Sequence, residues 1–220
     1  MKDVKKKCGM DEEWYVDPVG RSGGMALWWK KEVVINAWHS SRNIIHTSMN
    51  STVLDVPDFV TYVYGAPRDE DKEKVWEDLR RIAGGVTGSW LCVGDFNDMV
   101  SCFEKFGSRP IDLRRTLNFQ RMLSDCGLID LNFNGAPYTW NNKRLGEAHV
   151  KERIDRATAN VEFREKFQNA LVIHIEPVGS DHHMLSVECE YKHSRVPKAF
   201  RFEAFWIEHE DFLKVVREGW

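Results

Sequence analysis

Short runs of β-branched and aromatic residues alternate along this chain with stretches of helical periodicity, and that alternation restricts its fold more than any other feature. Runs at 24–29, 33–38, 59–64, 90–94 and 185–191 have strand length and strand composition. Between them, 69–83 sets Val75, Trp76, Leu79, Ile82 and Ala83 on one helical face, with Asp69 as a cap and Gly84-Gly85 as a stop. A second helix is expected over 112–126, with Leu113, Leu117, Met122 and Leu123 turned inward and Gly127 closing it. A third is expected over 160–170, capped by Asn160. Strands in hairpin-like succession followed by strands parted by helices predict an α/β protein whose mixed sheet is covered by helices, rather than a simple doubly wound sheet.

The chain can support such a core, because 42% of its 220 residues are apolar. No apolar run approaches the roughly 20 residues of a membrane span, and the lysine-rich start lacks the apolar stretch of a secretion signal. A soluble intracellular protein with no membrane association is therefore expected, although composition does not choose between nucleus and cytoplasm. Five scattered cysteines, Cys8, Cys92, Cys102, Cys126 and Cys189, suggest neither a disulfide framework nor a zinc site and read as reduced, mostly buried thiols. A net charge of -3 argues against coating nucleic acid by bulk electrostatics. Positive residues do gather locally at Arg109, Arg114 and Arg115, at Lys143, Arg144, Lys151, Arg153 and Arg156, and at Lys192, Arg195, Lys198 and Arg201. Each cluster taken alone reads as solvated surface.

Three fragments carry residues suited to chemistry. The apolar run from Trp90 ends in Gly94-Asp95-Phe96-Asn97-Asp98. A carboxylate and an amide two residues apart at a strand end point the same way, so Asp95 could hold a water or metal while Asn97 donates to a phosphate oxygen. The ordinary alternative is a strand running into an Asx turn. In Ser180-Asp181-His182, an acid beside a histidine could bind a divalent cation with one group and move a proton with the other, although Asp-His in a loop is more often plain surface. In Arg153-Ile154-Asp155-Arg156, a salt bridge is the simplest reading of the isolated fragment.

Taken together, in this order and at these separations, the three fragments resemble the signature of the endonuclease/exonuclease/phosphatase family. The likeness is strongest to the endonuclease domains of plant non-LTR retrotransposons, which the stretches 16–24, Gly127-Leu128-Ile129-Asp130-Leu131 and 135–142 are similar to. The resemblance implies a four-layer α-β-β-α sandwich of the deoxyribonuclease-like type. It implies hydrolysis of phosphodiester bonds in DNA, with Mg²⁺ or alternatively Mn²⁺ as cofactor. His182 would accept the proton of the attacking water or stabilise developing charge, Asp155 would orient its ring, and Asp181 would bind the metal. Asp95 would orient the water, Asn97 would hold a phosphate oxygen, and Tyr64, in Tyr64-Gly65-Ala66-Pro67, would face the scissile phosphate. A core aromatic at a strand end is the even alternative for Tyr64.

The family pattern also has two strands, ending in an asparagine and a metal-binding glutamate, ahead of the segment that begins at Val16. The resemblance thus implies an incomplete domain over 1–191, missing its first strands, with Glu12 and Glu13 in a polar stretch that does not supply the ligand. Weakened metal binding and activity are then expected, and a non-catalytic remnant with a nucleic-acid-binding or interaction role is the alternative. A phosphatase acting on lipid or small-molecule phosphates is a third reading. Residues 192–198 are polar and basic with Pro197 and fit a linker, and 199–220 look like the start of another helical segment. That tail is similar to the segment leading toward the reverse transcriptase in retrotransposon polyproteins, which makes such a region the partner to expect.

Overall fold

The computed structural model describes residues 2–18, 24–107, 110–190 and 212–219. Arg109, part of the 16–24 motif and the linker with its basic cluster lie outside the described residues. A short helix α1 (Lys2–Lys7) leads into a hairpin of β1 (Glu12–Val16) and β2 (Met25–Trp29), so the polar stretch that holds Glu12 and Glu13 opens a strand. The next two strands, β3 (Val34–Ser40) and β4 (Ile44–Asn50), pair antiparallel, as do β4 and β5 (Phe59–Tyr64). Helix α2 (Asp69–Ala83) then crosses over to β6 (Trp90–Asp95), which pairs parallel with β5. After the two-residue β7 (Lys105–Phe106) come α3 (Leu113–Asp125), β8 (Ile129–Asp130), β9 (Phe133–Asn134), β10 (Trp140–Asn141) and β11 (Lys151–Glu152). The chain continues through β12 (Asp155–Ala159), α4 (Val161–Lys166), β13 (Leu171–Ile175) and β14 (Met184–Glu188), and α5 (Phe212–Gly219) is the last described element.

The main sheet has the order β3-β4-β5-β6-β12-β8, and a second sheet has the order β14-β13-β9. Helices α2 and α3 cover one face of the main sheet. There Val75, Trp76, Leu79, Phe119 and Met122 pack on Ile44, Val63, Trp90, Cys92 and Phe96. The second sheet covers the other face, with Val60, Leu91, Ala157, Ala159 and Val172 between the sheets together with Phe163 and Phe167. Two sheets packed face to face with helices outside them belong to the deoxyribonuclease-like α/β type that the resemblance implies. No helix among the described residues is long and apolar enough to cross a membrane.

Local chemistry sets the element ends. Asp112 caps α3 by accepting hydrogen bonds from the backbone N–H groups of Arg114 and Arg115. The carbonyl oxygen of the Asn160 side chain accepts from Phe163 N at the start of α4 and also from Trp90 N, at 3.0 and 2.9 Å, tying that helix to β6. Four details differ from the sequence reading. The α2 cap position falls on Arg68, whose side chain makes no capping bond, and Asp69 instead lies inside the first turn, where its charge favours the helix dipole. Leu113 and Leu117 are exposed, and α3 buries Thr116 and Phe119 in their place because its inward stripe is rotated by about one position. Helix α4 stops at Lys166, since the chain must turn at Phe167 to enter β13. Of the five thiols, all free, only Cys92 and Cys126 are buried, while Cys8 and Cys102 are exposed.

Candidate active site

The main sheet builds the site by register alone. Tyr64 is the ladder partner of Asp95, and Asp95 is the partner of Asp155, so three strands end on one rung. Side chains on a shared rung project from the same face of the pleat. Alternation along β6 places Leu91 and Val93 between the sheets, and Asp95 follows them onto that face at the rim. Arg156 alternates to the helical face, where its guanidinium lies 5.3 Å from the Phe119 ring. The rim is closely packed. A Cβ on Gly94 would lie 2.0 Å from the Val63 carbonyl oxygen, and one on Gly65 would lie 2.2 Å from that of Phe96, so β5 and β6 approach through glycines.

His182 reaches this rung from the turn that precedes β14. Its Nδ1 lies 3.0 and 3.2 Å from the two carboxylate oxygens of Asp155. An ionised carboxylate only accepts, so Nδ1 carries the proton, and Nε2 is the nitrogen left to act as a base. Thr139, fully buried in the Pro137-Tyr138-Thr139-Trp140 turn, holds both partners. Its Oγ1 accepts from Ile154 N and Asp155 N at 3.1 and 2.9 Å, and its carbonyl accepts from His183 N at 2.7 Å. Asn97 continues from β6 with φ of +50°, a conformation asparagine tolerates. Its backbone N–H donates to Asp95 Oδ1 at 2.7 Å, and its side-chain amide donates to Asp95 Oδ2 at 2.8 Å and to the Gly65 carbonyl at 3.0 Å.

The charges are arranged against one another. Burial, reinforced by the neighbouring Asp155 carboxylate, pushes the Asp95 carboxyl up to about 6. The hydrogen bond to Asp155 raises His182 above its ordinary 6.5, against the opposing effect of burial. One ligand atom each from Asp95, Asp155 and His182 lie within 4.8 Å of one another, which forms a group able to hold a cation. A buried carboxylate facing a second one is a donor set whose repulsion a divalent cation would relieve, so the residues present fit such an ion. Asp181 lies outside this group. Its carboxylate is exposed and accepts from Trp140 Nε1 at 2.9 Å, which holds its proton affinity below the usual range.

The structure thus brings Tyr64, Asp95, Asn97, Asp155 and His182 to one rim, with Asp181 next in the chain to His182. The salt-bridge reading of 153–156 applies to its arginines only. Arg153 and Arg156 both pair with Glu104 and Asp130, at 2.6–3.0 Å, while Asp155 pairs with His182. Thr139 and Gly65 fall within stretches that carry the resemblance, but the sequence assigns neither a role, since each acts through partners distant in the chain.

A family model described as the endonuclease/exonuclease/phosphatase family matches residues 4–182. No curated protein matches the chain. Among solved structures, the endonuclease domain of TRAS1, a telomere-specific non-LTR retrotransposon, is 18% identical with a TM-score of 0.61, over 80% of this chain and 78% of that one. The 3′ phosphatase NExo from Neisseria, bound to a product DNA hairpin, is 18% identical with a TM-score of 0.58, over 86% and 82%. A truncated TDP2 from Caenorhabditis elegans is 14% identical with a TM-score of 0.50, over 84% and 78%. These likenesses show the fold, and the model that spans most of the chain shows that it belongs to the endonuclease/exonuclease/phosphatase family.

Proposed function

We propose that this chain hydrolyses phosphodiester bonds in DNA with the help of a divalent cation, as an endonuclease of the retrotransposon type. The observation that carries this reading is the contact between His182 Nδ1 and the Asp155 carboxylate, made on the same sheet rung as Asp95. Asp155 fixes the tautomer and orientation of the ring, and its charge favours the imidazolium, so His182 Nε2 takes a proton from the attacking water. Asp95, whose proton affinity is already raised, lies within reach of the same water and orients it. Both amide N–H bonds of Asn97 are engaged, one on Asp95, so a phosphate oxygen binds there by displacing the Asp95 carboxylate as acceptor. Tyr64, half-buried on the rung, borders the same space on the β5 side.

Asp95 and Asp155 would hold the cation, and Asp181, the metal ligand that the resemblance implies, would have to leave Trp140 Nε1 to join them. When bound, Mg²⁺ or Mn²⁺ would supply charge stabilisation for the phosphoryl oxygens. DNA as substrate is supported by the likeness to a retrotransposon endonuclease domain and to a phosphatase whose solved structure holds a DNA hairpin. A reverse transcriptase region is the partner that a retrotransposon origin implies. The test is nicking of supercoiled plasmid by the purified chain in Mg²⁺. His182→Ala is expected to slow it by at least about 100-fold, the usual contribution of a positioned proton acceptor. Equal nicking by both proteins, or none by either, overturns the proposal.

A further inference from the structure

Behind the rim, two helices send a cation each to a single backbone carbonyl. Lys72, in the first turn of α2 and only 4% exposed, donates from Nζ to the carbonyl oxygen of Asn97. Arg115, from the first turn of α3, donates from Nη2 to the same oxygen at 3.0 Å. The buried Asp98 carboxylate balances them, 3.1 Å from Lys72 and 3.6 Å from Arg115, and Asp69 pairs with Arg115 Nε at 3.2 Å. Asp98 is itself held from the far side, where its carbonyl accepts from Arg156 Nη2 at 3.4 Å.

A salt bridge that only pinned the helices to the sheet would need the carboxylate, not the carbonyl. Here both cations converge on the peptide that follows Asn97, the residue with φ of +50°. Holding that carbonyl fixes the plane of the 97–98 peptide and hence the direction from which the Asn97 amide meets Asp95 and Gly65. Charge-assisted donors on a buried carbonyl are stronger than neutral ones, and two from separate elements fix direction as well as distance.

We propose that Lys72 and Arg115 are positioning residues, which act through the Asn97 carbonyl to aim the Asn97 side chain at the phosphate. This inference rests on the phosphodiesterase reading above. Lys72→Met alone strands a buried Asp98 charge and risks the fold. The informative protein is therefore Lys72→Met with Asp98→Asn, which removes the pair together. Its melting temperature is expected to stay near that of the wild type, while plasmid nicking falls about tenfold or more, because small misplacements of binding groups cost that much. In an Asn97→Ala background the same pair of substitutions is expected to change the rate less than about twofold, since nothing remains to be aimed. An undiminished rate in the double substitution, or an equal loss with and without Asn97, overturns the proposal. A second measurement stands apart from activity. Proton exchange of the Asn97 side-chain amide, followed by NMR, is expected to speed up about tenfold or more in the Lys72→Met/Asp98→Asn protein, as its hydrogen bonds loosen. If the wild type nicks no DNA, the phosphodiesterase reading fails on that ground, and unchanged exchange then sinks the positioning role separately.

Discussion

At the scale of single residues, the site holds its charges in tension. Asp95 is raised from 3.8 to about 6 by burial and by the Asp155 charge. Because the folded value lies above the unfolded one, the stability that the protonated form supplies is fully present below about 3.8 and is lost as pH rises through about 6. His182 moves in the same sense through its bond to Asp155. Its contribution is present at and below 6.5 and is lost as pH climbs through the raised value. Both effects weaken the cation-free protein on the alkaline side. Asp95→Asn is therefore expected to stabilise the cation-free protein at pH 7 by on the order of 2 kcal/mol while removing activity, and to give no gain near pH 3.5. Urea denaturation at the two pH values checks this, and an equal effect at both would contradict it. Asp95 and His182 were legible in the sequence because each sits where an apolar run meets a short polar turn, whereas Asp155, at the buried start of β12, stood out only through the order and spacing it shares with them. Lys72, Arg115 and Thr139 were not, because each serves the site across 15 or more positions of chain, where no local pattern records a partner.

At the scale of elements, legibility follows where the burial signal comes from. The bounds of α2 and β5 match the sequence reading, since α2 has a strong apolar face and β5 is apolar or aromatic at nearly every position. Strand β4 escaped it because His46, Thr47 and Ser48 break the apolar run. The burial of His46 and Thr47 is made possible from outside the segment: His46 Nδ1 meets Thr61 Oγ1 at 2.9 Å, and Thr47 Oγ1 donates to the Val60 carbonyl at 3.0 Å. Strand β1 escaped it for a related reason, since its glutamates become strand residues through pairing with the tryptophans of β2. The strand ends that carry the site depend on close approach. Gly65→Ala would force a methyl group into the Phe96 carbonyl and is expected to cost about 2 kcal/mol or more, with loss of activity. A Gly65→Ala protein that melts like the wild type and keeps its activity would show that β5 and β6 are less tightly joined than this.

At the scale of the molecule, the site occupies the mouth between two sheets, and a buried ionic band braces that mouth from the helical side. Arg156, wholly buried, and Arg153 share Glu104 and Asp130, joining the segments of β7, β8 and β12 beneath the rung of Asp95 and Asp155. Arg156→Met leaves those carboxylates short of a partner in a buried setting and is expected to destabilise the protein by about 3–5 kcal/mol. A loss below about 1 kcal/mol on urea denaturation would mean that Arg153 carries the band alone. The proposed activity depends above all on Asp155 and His182 working as one unit at the rim that Asp95 shares. The most direct test is a double-mutant cycle of Asp155→Asn and His182→Ala on the rate of Mg²⁺-dependent plasmid nicking. If the pair is one device, each single change costs about 100-fold or more and the double change costs little beyond the worse single one. Losses that multiply would contradict it, because they would mean that the carboxylate and the imidazole act on the reaction separately.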